Sequence, residues 1–166
     1  MPNDTIWLTE TLTNNTLVCV MDDSYDWKKT PDICSASWIV YCTATTYSIS
    51  ATLVILSDSV SSYQGELLGM LTIHLFMYAI RDFYEVAGAN NILCNILCNN
   101  TWALYTFEQR SKRIPAGAKS HDVQQVLHQV KSKMKNLHLL HHVKAHQDRY
   151  KKTLRLTIRG PTQLPL

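Results

Sequence analysis

Two acids stand where they could do chemistry. Asp22, with Asp23 and Ser24 after it, ends the continuous apolar run Leu17 to Met21, and Glu66 follows Ser61-Ser62-Tyr63-Gln64 at the head of a long apolar stretch. Carboxylates are hard oxygen ligands suited to Mg²⁺, which keeps part of its water and takes further ligands from phosphates. Two such ions about 4 Å apart activate a water and stabilise a leaving oxygen in phosphodiester hydrolysis. Each acid alone has a plainer explanation, Asp22 as a turn acid and Glu66 as a partner of the helix dipole in a first turn. The fold must bring them together for chemistry. His138, His141, His142 and His146 are a second cluster, but no cysteine or acid accompanies them at structural zinc spacing, so they read as strand or loop residues. Cys94 and Cys98, four apart in a strand pattern, face one way about 13 Å from each other and read as core. Trp38, Trp102 and Tyr63 are candidates for stacking on bases or for burial.

The elements needed to position the acids are legible. Leu17 to Met21 has the unbroken apolar character of a central strand buried on both faces. Residues 35–43 and 47–56 are rich in β-branched and aromatic types and predict the second and third strands of an antiparallel meander. Ser61 and Gln64 have capping-box spacing and open a helix to about Tyr84, with Gly88-Ala89-Asn90 as its stop. Residues 91–98 predict a buried strand, 101–109 a short helix, and Val123, Val126, Leu127, Val130, Met134 and Leu137 the apolar face of an amphipathic one. Residues 139–143 are the last candidate strand. Residues 1–16, polar and aperiodic, are expected to be a loose arm, and residues 153–166 a diverged tail, leaving 17–152 as the folded domain. This order gives an α/β fold: a central mixed five-stranded sheet, three antiparallel strands and then parallel ones, flanked by helices.

Composition narrows the function. The 166 residues suffice for one domain with a real core. The run Leu67 to Ile80, interrupted by Gly69, Thr72 and His74, falls short of the ~20 apolar residues of a bilayer span, so no membrane partner is expected. Five cysteines without a pairing pattern, and a start without signal-peptide layout, suggest an intracellular, reduced protein. Residues 1–108 carry three Lys or Arg against eleven acids, whereas residues 109–166 carry thirteen against two. A block so one-sided is either a solvated helix face or a surface for a phosphate backbone, whose neutralisation releases counterions and gives sequence-independent affinity.

The motifs resemble those of a known family, the type-1 ribonuclease H-like domains attached to retroelement reverse transcriptases. The resemblance runs from about Leu17 to Arg155 and rests on Met21-Asp22-Asp23-Ser24, Trp38, Ser62-Tyr63-Gln64-Gly65-Glu66-Leu67, Cys98-Asn99-Asn100-Thr101-Trp102-Ala103-Leu104 and His142-Val143-Lys144-Ala145-His146-Gln147-Asp148. It implies a two-ion Mg²⁺ or Mn²⁺ site and cutting of the RNA strand in RNA–DNA hybrids. Asp22 would be the shared ligand, Glu66 a ligand of one ion, and His146 a helper in proton transfer or product release. Ser24, Tyr63, Asn100, Arg110, Lys112, Arg113 and Lys144 are the residues expected to meet nucleic acid. The parent element would supply a reverse transcriptase domain as a further partner.

Departures from the family pattern bear on activity. The third carboxylate falls on Asn99, a neutral and poorer Mg²⁺ ligand, and the fourth, expected about ten residues past the late histidine, has no counterpart in residues 153–166. At an effective dielectric of ~20 and ~4 Å, one carboxylate–cation contact is on the order of 4 kcal/mol, so losing it would weaken or empty a site. Asp23, where the family has glycine, and Asp148 are the available substitutes. Three readings follow: a weakened or inactive hybrid ribonuclease, a non-catalytic module that holds a hybrid or duplex by its backbone, and a decayed retroelement fragment.

Overall fold

The computed structural model describes residues 6–58, 60–83, 94–108, 114, 117–133 and 138–143. Its elements are α1 (Ile6–Thr13), β1 (Leu17–Tyr25), β2 (Ile33–Cys42), β3 (Ser48–Leu56), α2 (Ser62–Phe83), β4 (Cys94–Cys98), α3 (Thr101–Glu108), α4 (His121–Lys133) and β5 (His138–His142). The strands form one sheet in the order β3-β2-β1-β4-β5. β1 pairs antiparallel with β2 and parallel with β4, while β2–β3 is antiparallel and β4–β5 parallel. The mixed five-stranded sheet expected from the sequence is therefore present, with β1 in the middle. Leu17, Val18, Cys19 and Met21 are all buried, as a strand covered on both faces requires.

Helix α2 lies across β1 and β2. Leu67, Met70, Ile73 and Met77 are buried against a core that includes Cys19, Met21, Trp38 and Val40. The close approach rests on missing side chains: a Cβ on Gly69 would lie 3.0 Å from Met21 Cε and 3.5 Å from Ala36 Cβ. Ser61 caps the helix as its spacing implies, its hydroxyl accepting from the Gln64 N–H at 3.3 Å. In α4 the residues Val123, Leu127 and Val130 form the buried stripe, whereas Val126 sits beside it and is exposed. Met134 and Leu137, expected on the same face, lie outside the described residues, as do 91–93 of the fourth strand, 153–166 of the tail and the boundary at 152.

Residues 1–16 depart from the expected loose arm, since 6–13 form a helix that buries Trp7, Leu8 and Leu12 in the common core. Trp7, Leu8, Thr11 and Leu12 fall at i, i+1, i+4 and i+5, a helical face hidden among polar residues. The helix ends by a Schellman arrangement. Asn15 takes a left-handed φ of 56°, its N–H donates to the Leu12 carbonyl at 3.2 Å, and the Thr16 N–H donates to the Thr11 carbonyl at 3.0 Å. The chain thereby turns straight into β1.

All five cysteines are free and buried, Cys94 and Cys98 included. Strand pairing brings the Cys19 and Cys94 sulfurs to 3.2 Å, a proximity invisible in their spacing. No helix among the described residues is long and apolar enough to cross a membrane.

Candidate metal centre

Successive side chains of a strand leave on opposite sides, so Asp22 and Asp23 diverge as they leave β1. Asp23 goes to the side covered by α2, where the Ser62 hydroxyl donates to its Oδ1 at 2.9 Å. Gly65 makes room for it, for a Cβ there would lie 3.0 Å from Asp23 Cβ and 2.6 Å from Cys34 Sγ. Asp22 is exposed, and the β1–β4 ladder ends at Val20–Leu97, which leaves Asp22 beside the residues that follow β4. There the Asn99 side-chain N–H donates to Asp22 Oδ1 at 2.8 Å.

Glu66 completes the group. It sits one helical turn past Ser62, beyond the first turn where the sequence reading placed it, and so beyond most of the helix-dipole field. Only 1% of its surface is exposed. The Cys98 thiol donates to Glu66 Oε2 at 3.5 Å, while no donor among the described residues reaches the buried Oε1. One carboxylate oxygen each from Asp22, Asp23 and Glu66 lies within 4.8 Å of the others.

Three carboxylates this close, one of them buried, resist ionising together. Burial first, then the charge of Asp23, pushes the Glu66 carboxyl up to about 8. Burial also raises Asp23, with the charge of Asp22 adding to it against hydrogen bonds from Ser62 and Glu66. Burial and the adjoining Glu66 charge push the Cys98 thiol up to about 12, so it remains a donor at neutral pH. A dication would relieve the repulsion among the carboxylates and give Glu66 Oε1 the partner it lacks, so these residues fit a hard divalent metal such as Mg²⁺ or Mn²⁺.

Asp22, Glu66 and Asn99 thus converge, and Asp23 joins them. Asn99 enters as a hydrogen-bond donor to Asp22. Of the residues expected to meet nucleic acid, Ser24 is exposed at the end of β1. Tyr63 is half-buried, its hydroxyl within 2.9 Å of Thr106 Oγ1 and accepting from Gln124 Nε2 at 3.2 Å, which ties α2 to α3 and α4. Asn100 caps α3, its Oδ1 accepting from the Trp102 and Ala103 N–H groups at 3.0 and 3.1 Å. Trp38 is core, whereas Trp102 is 70% exposed. His141 and His142 engage Asn95 Oδ1 and the Asn99 carbonyl, at 2.9 and 3.2 Å. Arg110, Lys112, Arg113, Lys144, His146 and Asp148 lie outside the described residues. Ser62, Gly65 and Cys98 carry contacts that sequence reasoning did not assign. Gly65 beside the glutamate was the available signal, while Cys98 gave only its core pattern.

No protein-family model matches the chain, and no curated protein matches it. Solved structures do match in three dimensions. RNase H1 from the halophilic archaeon Halobacterium salinarum superposes with a TM-score of 0.52 at 10% identity, over 80% of this chain and 89% of that one. The fold is ribonuclease H-like. A second ribonuclease H-like match, the N-terminal RNase H domain of a Mycobacterium tuberculosis protein, has a TM-score of 0.50 at 12% identity over 81% and 86% of the two chains. The RNase H domain of PFV gives 0.50 at 12% identity over 80% and 81%. Within this ribonuclease H-like frame, the acidic group gathers one residue pair from the central strand and one residue from the helix across it.

Proposed function

We propose that this chain is a metal-dependent nuclease that cuts the RNA strand of RNA–DNA hybrids, with Asp22, Asp23 and Glu66 holding Mg²⁺ or Mn²⁺. The observation that carries the reading is the convergence of the three carboxylates within 4.8 Å, one of them with a buried oxygen, Glu66 Oε1, that no donor among the described residues reaches. The bound metal would activate a water and neutralise charge building on the phosphate. The protein's own part is positioning: Ser62 holds Asp23, Asn99 holds Asp22, and the Cys98 thiol holds one oxygen of Glu66. His146 would assist proton transfer or product release, and the basic residues Arg110, Lys112, Arg113 and Lys144 would engage the phosphate backbone. The motifs shared with reverse-transcriptase-linked domains support descent from a retroelement that also encoded a polymerase.

A second reading, a hybrid- or duplex-binding module without activity, is favoured by Asn99, whose amide donates to Asp22 where the family pattern has a metal-binding carboxylate. One experiment separates the two. A labelled RNA–DNA hybrid is incubated with the chain and Mg²⁺ or Mn²⁺, with single-stranded RNA and a Glu66→Gln variant as controls. Metal-dependent loss of the RNA strand, absent from the variant, is the expected result. Binding of the hybrid without cleavage under either metal refutes the nuclease in favour of the binder.

A further inference from the structure

We infer that Asp23 has replaced position 99 as the third carboxylate ligand of the metal centre, and that Asn99 now serves as a clamp on Asp22. This rests on the metal-centre reading above. Position 99 follows β4 and carries an amide whose N–H₂ group points at Asp22, so the side chain donates into the site. An N–H directed at a carboxylate oxygen occupies the approach that a cation would use on that oxygen. Position 23 meanwhile supplies a carboxylate from β1, on the opposite side of Asp22, and brings it to the same group of ligand atoms as Glu66.

Three contacts show a site built for that side chain. Gly65 leaves open the space in α2 that Asp23 Cβ borders at 3.0 Å from where a side chain would begin. Ser62 donates to Asp23 Oδ1 at 2.9 Å, which orients the carboxylate. Glu66, almost wholly buried and with no donor among the described residues to its Oε1, offers one carboxylate oxygen to the cluster that Asp23 completes. The negative charge lost at position 99 is thus restored by its neighbour across the site, and the centre keeps three carboxylates.

The test is Mn²⁺ binding to the whole chain without nucleic acid, followed by the electron paramagnetic resonance signal of free Mn²⁺ at one fixed pH for all variants. Asp23→Asn and Asp23→Gly should each weaken Mn²⁺ by about tenfold or more, because a full charge leaves the dication's contact shell. Asn99→Ala, which removes an amide and no charge, should weaken it by less than about threefold. The asparagine variant keeps the volume at position 23 and the glycine variant removes it, so a packing defect in one does not decide the result, and melting without metal shows whether each is folded. Unchanged affinity in both Asp23 variants, or a loss with Asn99→Ala as large as theirs, overturns the inference while the metal centre stands. Failure of the natural chain to bind Mn²⁺ removes both.

Discussion

Replacing Glu66 by glutamine should make this protein more stable at alkaline pH. Glu66 is buried beside Asp23 and is pushed from an ordinary carboxyl value of 4.5 up to about 8. The folded state therefore holds its proton through a range where the unfolded chain has released it. The stability this contributes is fully present below pH 4.5 and is lost as pH rises through 8. A shift of that size corresponds to on the order of 5 kcal/mol. Glutamine matches glutamate in volume, carries no charge and still presents an oxygen to the Cys98 thiol. The variant should match the natural chain near pH 4.5 and exceed it by about 5 kcal/mol well above pH 8, roughly 15 °C in melting temperature for a domain of this size. His74 masks part of this in the natural chain, because burial lowers it to about 4 and its contribution grows as pH rises from 4 to 6.5. The natural chain alone should thus fall visibly only from pH 6.5 to 8, by about 2 kcal/mol. Urea unfolding in chelator at half-unit pH steps, on both proteins, gives the difference curve. A difference that is flat with pH, or a glutamine variant weaker than the natural chain at pH 8.5, refutes the reasoning. Saturating Mn²⁺ should narrow the gap, because it binds the folded natural chain and not its unfolded state.

Other perturbations have equally definite outcomes. His74, whose Nδ1–H donates to the Met70 carbonyl at 2.7 Å and whose ring lies 4.5 Å from that of Phe107, contributes stability above pH 6.5 that is lost as pH falls through 4. His74→Leu should flatten that acid limb by on the order of 3 kcal/mol, and an unchanged slope in urea unfolding contradicts the account. Gly65→Ala should destabilise by about 1–3 kcal/mol even though alanine favours helices, since its Cβ would meet Cys34 Sγ at 2.6 Å. A gain in its urea midpoint would show that the helix is free to move off the sheet. Asn100→Ala should cost about 1 kcal/mol by removing the cap on α3, also read by urea unfolding, and no loss would mean that the cap does not govern that helix.

The sheet was readable because its signals are local. An unbroken apolar run can be only a doubly covered strand or a buried helix segment, and Asp22 and Asp23 limit its length. The Ser61–Gln64 spacing located α2 to within a residue of its start. The α1 helix escaped because half of its residues are polar threonine and glutamate, and its buried face spans only Trp7, Leu8, Thr11 and Leu12. At the site, the meeting of Asp22 and Glu66 followed from a strand end and a helix start that this fold must juxtapose, while Asn99 was placed beside them by the resemblance to ribonuclease H-like motifs. The direction of the Asn99 amide, the Ser62 bond to Asp23 and the Cys98 bond to Glu66 depend on side-chain orientation across separate elements, which spacing along one element does not encode. The same limit hid the Cys19–Cys94 contact, made across two strands 75 residues apart.

The space opposite Asp23 also couples two positions of the site. With a side chain at position 65, any residue larger than glycine at position 23 meets a Cβ at 3.0 Å. The two positions are therefore coupled: a side chain at 65 and one at 23 crowd each other, and one of them must give by a few tenths of an ångström. Cys34 Sγ, 2.6 Å from a Cβ at 65, resists a side chain there whatever stands at position 23, and Asp23 adds a second, softer obstacle. The glycine at position 65 thus serves two neighbours at once, the thiol of Cys34 on β2 and the carboxylate-bearing Asp23 on β1, so one substitution there would disturb both strands.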